Sequence, residues 1–405
     1  MQILIVVNLF APDFAGGASL YTDLSRELAA RGHDVTVRTG YPYFPEWTDK
    51  SGQNGWRIRR SSEHGVRLER HGMYLPNPAS AKERAVYELS FFLSLLRSFF
   101  RGRSPDAILA FSTMVSPVAV AVVTGKLRRR PVLVSVQDIS SGGAAAARLV
   151  GGRVARIIQT IERRLYRSAD HLLTITPEMV DKVHELCGDQ CEVDYVPNWL
   201  SGSLADEIAA LPSREHRAAG STVRMLYSGN IAGKQALHAF CERIHATEAD
   251  FELHIHGAGP GVEAIRRWWD EHRDPRFVFG QMGTDAEFVA AIDAADLFLI
   301  TERPESDASY MPSKLIPAIA VGTPILAVCD PASPLGREVA NADLGPMLTW
   351  DDVDRFPEVL ATARDDEQHR RWRANCLDRA KAFERTTVID QIEQGLERLV
   401  AARHH

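Results

Sequence analysis

The chain has 405 residues, of which 45% are hydrophobic and 25% are charged. A chain of this length exceeds the size at which a single hydrophobic core stops growing, so two domains are expected. The net charge of −6 gives no overall attraction to nucleic acid, and we therefore expect no nucleic acid among the partners.

The opening residues of the chain and its cysteines bear on location. The opening stretch "MQILIVV" lacks the cationic start and the cleavage site of a signal peptide, and no stretch reaches about 18 uninterrupted apolar residues. Five cysteines without a regular framework fit a reducing compartment. Cys187 and Cys191 lack a second Cys/His pair at ligand spacing. The sequence predicts a cytoplasmic protein, with the inner face of the membrane as an alternative.

Strands and helices alternate through the first half of the chain, which indicates a parallel sheet covered on both faces. "QILIVV" predicts a buried strand, residues 18–32 a helix that stops at Gly32, and "HDVTVRT" the next strand. The pattern continues with strands at "DAILAFS", "PVLVSVQD" and "HLLTITP" and helices at 82–101, 115–127 and 153–168.

A second series follows the polar segment "PSREHRAAGST", which is the predicted linker. Its strands are "VRMLYSG", "FELHIHGAG", "RFVFGQM", "DLFLITE" and "TPILAVC", and residues 386–402 predict a terminal helix. The fold class is therefore α/β, with two Rossmann-like doubly wound domains facing across a cleft that holds the ligand. The predicted boundaries are 1–205, 206–385 and a C-terminal helix at 386–405, which is a candidate to return to the N-terminal domain.

Three segments are candidate phosphate cradles. Gly16 and Gly17 lie between a strand and a helix, where backbone N–H groups can approach an anion, although paired glycines there are often only a turn. The other two cradles each carry a lysine at a predicted helix start, and a single lysine would more often be a solvated surface residue. The second of these helices is predicted to be capped by Pro312 and Ser313, with Lys314 in its first turn, and to end at Gly322. The candidate residues of these two cradles are Ser228, Gly229, Asn230, Lys234 and Gln235 in one cradle, and Ser313, Lys314 and Leu315 in the other.

The joint occurrence of "YPYFPEW", "SGNIAGKQ" and "PSKL", with "VQD", "VPNW", "HGAGP" and "AVGTPILA" in the same order, carries a family resemblance. The chain resembles the retaining nucleotide-sugar glycosyltransferases of GT-B fold, in the branch that makes bacterial exopolysaccharides of the colanic-acid and O-antigen type. The resemblance implies a nucleotide diphosphate sugar donor, UDP or GDP, bound mainly by the C-terminal domain, with the acceptor on the N-terminal domain.

Three residues are expected to carry the chemistry. Lys234 and Lys314 would stabilise the diphosphate as its negative charge grows, so that neither a metal nor another cofactor is needed. The Asp-x-Asp pair, Asp352 and Asp354, fits a helix start rather than a metal site. Asp138 ends a strand where the family places an acidic or histidine residue near the donor sugar. The alternative for Asp138 is an Asx turn.

The base and ribose of the donor are assigned by the same resemblance. Gly257, Gly259 and Met282 lie in two loops that would frame the base with backbone groups, or else form only turns. Relatives commonly have a ribose-binding glutamate where this chain has Pro317. Two loop carboxylates, Glu305 and Asp307, are the candidate substitutes, with plain surface loop residues as the alternative.

The acceptor could be a sugar, a lipid-linked glycan or a small molecule. Tyr43 and Trp47 offer flat faces on which a sugar could stack, or they anchor a long loop. Residues 87–103 form a strongly apolar helix that is a candidate for peripheral membrane contact, with a core helix as the alternative. Rival functions are transfer to a soluble natural product or thiol, a nucleotide-sugar epimerase, and a non-catalytic nucleotide-sugar binder.

Overall fold

The computed structural model describes residues 1–13, 17–44, 46–52, 56–76, 81–99, 103–139, 152–212, 222–304 and 311–403. The chain divides into two compact units. The N-terminal unit comprises Met1–Asn198 with Thr386–His405, and the C-terminal unit comprises Trp199–Arg385.

Within the described residues, the sheet of the N-terminal unit has eight strands in the order β3-β4-β2-β1-β5-β6-β7-β8. The strands are β1 (Gln2–Val6), β2 (Asp34–Gly40), β3 (Arg59–Glu63), β4 (Val66–His71), β5 (Ala107–Phe111), β6 (Val132–Val136), β7 (His171–Thr174) and β8 (Val193–Tyr195). The helices of this unit are α1 (Ala18–Ala30), α2 (Ala81–Leu96), α3 (Val115–Arg128), α4 (Gly152–Tyr166), α5 (Pro177–Cys187) and the terminal α14 (Arg385–Ala402).

Neighbouring strands of this sheet are parallel except at one edge, where β3 runs antiparallel to β4. The five residues of β5 and the five of β6 are all buried, as expected for strands covered by helices on both faces. The predicted strands and helices of the first half are confirmed to within a few residues at each end, except that the helix predicted at 82–101 ends at Leu96 and residues 100–101 lie outside the described residues. The pair β3–β4 is an addition, because every residue of β3 is exposed and carries no apolar alternation.

The C-terminal unit has a parallel sheet with six strands in its described part, in the order β11-β10-β9-β12-β13-β14. The strands are β9 (Val223–Asn230), β10 (Phe251–Ala258), β11 (Phe277–Gly280), β12 (Leu297–Thr301), β13 (Ile325–Val328) and β14 (Met347–Leu348). Its helices are α6 (Gly202–Ala209), α7 (Leu237–His245), α8 (Val262–His272), α9 (Asp285–Ala294), α10 (Leu315–Val321), α11 (Pro334–Ala342), α12 (Phe356–Ala363) and α13 (Asp366–Ala380).

Two hydrophobic clusters cover the two faces of this second sheet. Alternate residues of β9 separate between them: Met225 and Tyr227 belong to one cluster and Leu226 to the other. The chain therefore shows the two Rossmann-like sheets that its sequence predicts, each with a core of its own.

The terminal helix α14 is held on the N-terminal unit by charged contacts. Arg31 donates to Asp390 at 2.6 Å and to Glu393 at 2.5 Å, and His33 Nε2 lies 2.6 Å from Glu393. A further ion pair joins Arg403 to Asp170 at 2.8 Å. Over the residues that the structure describes, no helix has the length and apolar character needed to cross a bilayer.

Candidate functional site

The candidate donor site lies at the carboxyl ends of β9 and β12. These adjacent strands form the point from which the sheet grows in opposite directions, toward β10 and β11 on one side and toward β13 and β14 on the other. In open α/β sheets, ligands bind outside the carboxyl ends of the strands at such a switch point. The residues that follow β9 and β12 are therefore the first to consider.

Lys314 lies at this switch point. Its ammonium nitrogen is 3.8 Å from the centroid of the Tyr227 ring, and its side chain is within 3.8 Å of the position that a Cβ on Gly229 would take. The nitrogen is shielded from solvent and has no hydrogen-bond partner among the described residues. Burial lowers the pKa of Lys314 to about 7, against the raising effect of Glu302.

Glu302 is a site residue that the sequence did not reveal. It directly follows β12 and is 4% exposed, and both of its carboxylate oxygens lack hydrogen-bond partners in the described part of the chain. Burial raises the pKa of Glu302 to about 7, although Ser333 and Lys314 lower it. The buried carboxyl and the buried ammonium thus titrate in the same pH range, and the only sequence signal was an acid ending an apolar strand.

Lys234 differs from its predicted placement. The expected helix start at this residue is wrong, because residues 231–236 form a turn and α7 begins at Leu237, after Ala236 in a left-handed conformation. Lys234 is exposed, and its carbonyl oxygen accepts the backbone N–H of Arg303 at 2.8 Å. This hydrogen bond ties the turn to the segment that follows β12, so Lys234 still belongs to the switch-point region.

Lys314 also differs slightly from its prediction. The sequence places it in the first turn of a helix capped by Pro312 and Ser313, whereas α10 begins at Leu315 and Lys314 is the residue before it. The predicted end of this helix at Gly322 is confirmed, because Gly322 has a left-handed φ of 83°.

The glycines of "HGAGP" fit tightly against the end of β9, and the predicted loop position of Gly257 is wrong, because Gly257 lies within β10 and pairs with Gly229. A Cβ on Gly257 would lie 2.6 Å from Ile231 Cδ1, and a Cβ on Gly259 would lie 2.3 Å from Asn230 Oδ1. Gly259 also has a φ of +130°, which residues with side chains rarely adopt. The two glycines allow the end of β10 to pack closely against the end of β9, which contains Tyr227.

The other predicted donor residues have varied surroundings. Ser228 and Leu315 are buried, Ser313 and Met282 are exposed, and the Gln235 side chain accepts the backbone N–H of Ala232 at 3.2 Å. Three predicted residues, Gly16, Glu305 and Asp307, lie outside the described residues. Both candidate substitutes for the glutamate expected at position 317 thus lie outside the described residues, and Pro317 is buried inside α10.

The N-terminal unit has its own switch point between β1 and β5. There the Thr113 hydroxyl donates to Asn8 Oδ1 at 2.6 Å. Gly17 caps α1 with a φ of 91°, and a Cβ on it would lie 2.7 Å from the Tyr21 hydroxyl. Asp138 is exposed and follows β6, the strand next to β5. Gly17 and Asp138 thus lie at the carboxyl edge of this sheet, as predicted.

The aromatic residues of "YPYFPEW" form a cluster in which the two predicted acceptor residues differ. Tyr43 is 1% exposed, and its hydroxyl hydrogen-bonds the Tyr87 hydroxyl and accepts from Asn8 Nδ2 at 3.2 Å. The ring of Tyr43 has no face for a sugar, so its burial corrects the stacking hypothesis in favour of loop anchoring. Trp47 is half-buried, with its ring centroid 5.6 Å from that of Tyr43 and 5.5 Å from that of Tyr87.

One cluster of potential metal ligands occurs among the described residues, formed by His33, Glu393 and Glu397. Glu393 already accepts from the Arg31 guanidinium and pairs with His33, so a cationic side chain stands where a metal would be. Glu393 and Glu397 belong to α14, so the cluster is part of the charged contacts that hold this helix.

Comparisons with known proteins identify the class of enzyme. Residues 16–199 match the family described as the glycosyl transferase 4-like domain. The chain is 25% identical over 352 residues to a protein named as the colanic acid biosynthesis glycosyl transferase WcaI of Escherichia coli (strain K12), covering 83% of this chain and 85% of that one. The chain is a glycosyltransferase.

Solved structures give the fold of this glycosyltransferase. It is similar to sucrose-phosphate synthase from Thermosynechococcus elongatus, with a TM-score of 0.71 at 16% identity over 99% of this chain and 100% of that one. It is also similar to HepE of Anabaena (TM-score 0.69, 15% identity, 98% and 100% covered) and to WaaG (TM-score 0.64, 15% identity, 96% and 98% covered). The enzyme has the GT-B fold.

Proposed function

We propose that this glycosyltransferase moves a sugar from a nucleoside diphosphate sugar to an acceptor hydroxyl with retention of configuration at the anomeric carbon. The observation that carries the proposal is the buried ammonium of Lys314, which lacks a hydrogen-bond partner among the described residues at the switch point of the C-terminal sheet. A buried cation without a hydrogen-bonded partner is unfavourable unless an anion joins it.

A diphosphate fits this position for electrostatic reasons. Because the pKa of Lys314 is lowered, its side chain is only partly protonated in the free protein at neutral pH. A dianionic group beside the amine favours the ammonium form. It also accepts hydrogen bonds from the N–H groups of the ammonium, whereas the ring of Tyr227 offers no such acceptor. The exposed ammonium of Lys234 and the turn around it would complete the phosphate contacts.

Structural relatives support a choice of donor nucleotide. Structures of HepE are titled as complexes with UDP, with UDP and glucose, and with UDP-glucose. This fold match supports a uridine nucleotide as the first choice, with GDP as the second. Gly257 and Gly259 have no side chains and pack closely against the end of β9. We propose that a flat base lies against their backbone.

In the proposed reaction, the diphosphate of the donor takes both the electron pair of the broken bond and the acceptor proton. The bond between the anomeric carbon and the diphosphate oxygen breaks with its electron pair on that oxygen, where Lys314 stabilises the charge. The acceptor oxygen forms the new bond on the face that the diphosphate leaves. The acceptor proton passes to a leaving phosphate oxygen, and Asp138 contacts the sugar or relays that proton.

The acceptor is proposed to be a growing polysaccharide or a lipid-linked glycan. The WcaI and WaaG names refer to colanic acid and lipopolysaccharide biosynthesis, which supports this class. Helix α2 adds a physical argument, because Val86, Leu89 and Leu93 are 43%, 58% and 52% exposed at helical spacing. An apolar stripe of this kind suits contact with a membrane interface, where a lipid-linked acceptor would lie. Tyr87 and Phe91 face the core, so α2 is also a core helix.

The experiment offers UDP-sugars and GDP-sugars with two acceptor sets, detergent-solubilised polyprenyl-diphosphate sugars and soluble glycosides. We expect transfer to the lipid-linked set, with the anomeric configuration of the donor retained in the product by NMR. An inverted product would refute the retaining mechanism. Transfer only to soluble acceptors would favour the rival function of transfer to a soluble natural product or thiol.

A further inference from the structure

The N-terminal unit contains a cavity that the proposed reaction does not use. Its volume is about 810 Å³, which is within the range of small-molecule sites. Five arginines line it, and we call it the arginine pocket: Arg38, Arg60, Arg67, Arg103 and Arg128.

The arginine pocket has an excess of positive charge. Among the described residues, only two carboxylates line it, Asp34 and Glu69, against five guanidinium groups, which leaves an excess of three positive charges. This excess occurs in a chain whose net charge is −6, so it is a local feature rather than a consequence of composition.

Each carboxylate is shared between two arginines. Glu69 accepts from Arg38 at 2.9 Å and from Arg60 at 2.8 Å. Asp34 lies 2.5 Å from Arg67 and 3.7 Å from Arg103. Sharing leaves the guanidiniums only partly neutralised, so the cavity can accept a further anion without breaking either group of contacts.

The arginine side chains become more exposed from the floor of the pocket to its rim. The side chain of Arg38 is 7% exposed, and its guanidinium also donates to the carbonyl oxygen of Ser98 at 2.9 Å. Arg128 donates to the carbonyl oxygen of Phe99 at 2.7 Å. At the rim, the side chains of Arg60 and Arg103 are 50% and 73% exposed. A fixed cationic floor with exposed arginines at the entrance suits capture of a ligand from solution.

The pocket is separate from the catalytic edge of its sheet. Gln2 and Asp34, which line it, are the first residues of β1 and β2. Gly17 and Asp138 follow the carboxyl ends of β1 and β6, at the opposite edge. An anion in the arginine pocket would therefore not occupy the position of the reacting sugar.

We propose that the arginine pocket binds a phosphate-bearing anion, either a free phosphorylated metabolite or the headgroup of an anionic lipid. Planar guanidiniums bind phosphate oxygens in a bidentate manner, and several converging arginines select groups with more than one negative charge. Ser61, Ser62 and Thr36 supply neutral hydroxyls in the same cavity for the remaining polar groups of the ligand.

The test measures binding by calorimetry in a Lys314→Met background, so that the proposed donor site does not contribute. The probes are inorganic pyrophosphate, phosphatidylcholine vesicles, and equimolar phosphatidylcholine–phosphatidylglycerol vesicles. The test variant is Arg60→Gln with Arg67→Gln, and the single variant Arg103→Gln removes an exposed rim residue without touching the core. Arg59→Gln is the matched control, because Arg59 precedes Arg60 on β3 and does not line the pocket.

We expect at least one anionic probe to bind, with affinity about tenfold weaker in the double variant and in Arg103→Gln but unchanged in Arg59→Gln. Binding of pyrophosphate identifies a free anion as the ligand, and binding of phosphatidylglycerol vesicles alone identifies a headgroup. Equal affinity in the pocket variants and Arg59→Gln would overturn the proposal, as would the absence of binding to every probe.

Discussion

The ammonium nitrogen of Lys314 lies 3.8 Å from the centroid of the Tyr227 ring, so the most buried lysine of the donor site rests on an aromatic face. A cation–π contact of this kind offsets part of the desolvation of the ammonium but accepts none of its hydrogen bonds. The free enzyme therefore holds a destabilised charge at the place where we propose that the diphosphate binds. The cost of this charge to stability and its role in binding can be tested separately.

Lys314→Met should compare most favourably with the wild type in stability at pH 7, because it removes an ammonium that is costly to bury, although it leaves the buried carboxyl of Glu302 without a cation beside it. The pKa of Lys314 is about 7 in the folded state and 10.5 for an unperturbed lysine, so the unfolded chain binds more protons between these values. Wild-type stability from this group should thus rise with pH above 7. Urea unfolding should show the stability of the variant relative to the wild type falling by about 2 kcal/mol between pH 7 and pH 9.

The control for this comparison is Lys381→Met, at a lysine whose side chain is 76% exposed. It should leave the pH dependence of unfolding unchanged. A constant difference between wild type and Lys314→Met across this pH range would show that the ammonium titrates normally in the folded protein.

Binding of UDP at pH 8 should take up protons, up to about 0.9 on each of two groups. Lys314 and Glu302 both have pKa values near 7 and are mostly deprotonated at pH 8, and a diphosphate beside them favours the protonated form of each. Titration calorimetry in two buffers of different ionisation enthalpy measures this uptake. Lys314→Met should reduce it, and heats that are independent of the buffer would contradict the proposed contact.

Gly259→Ala should destabilise the enzyme by about 2–4 kcal/mol. The new methyl group would lie 2.3 Å from Asn230 Oδ1 and 2.7 Å from the Ile231 carbonyl oxygen, at a φ of +130°. Gly233→Ala is the matched control, since no atom of the described residues lies within 4 Å of its added Cβ. Thermal or urea unfolding of both variants checks the prediction, and equal stability would mean that the β10 loop can move away from Asn230.

Asp138→Asn should keep nucleotide affinity while lowering kcat by about 10²-fold, the scale of losing one general acid–base group. Asp138 belongs to the N-terminal unit, whereas Lys314 and Glu302 belong to the C-terminal unit. Steady-state kinetics with a fixed acceptor, together with UDP titration, would separate the two effects. An unchanged kcat would remove Asp138 from the chemistry.

The sequence predicted elements with continuous apolar runs best. β1, β5 and β6 are buried strands, so their composition alone distinguishes them from loops. The strand β3 reads "RRSSE" and is fully exposed, and it exists because its backbone pairs with β4 rather than because of its side chains. No local pattern could have indicated it.

The features of the site that the sequence could not predict are burial and contacts that depend on tertiary packing. Tyr43 and Trp47 lie in one aromatic motif, yet only the fold determines that Tyr43 is buried against Tyr87. Glu302 ends an ordinary apolar strand, and its importance comes from its burial beside Lys314. Gly259 could be recognised as a loop glycine, whereas its contact with Asn230 depends on the pairing of β9 with β10.

The most direct test of the central claim is a thermal-shift panel of UDP, GDP, TDP and ADP on the wild type and on Lys314→Met. A ligand that binds the native state raises the melting temperature, and the rise grows with the ratio of ligand concentration to Kd. We expect UDP or GDP to stabilise the wild type and Lys314→Met to abolish most of this stabilisation. The absence of any shift in the wild type, or an equal shift in the variant, would contradict the central claim.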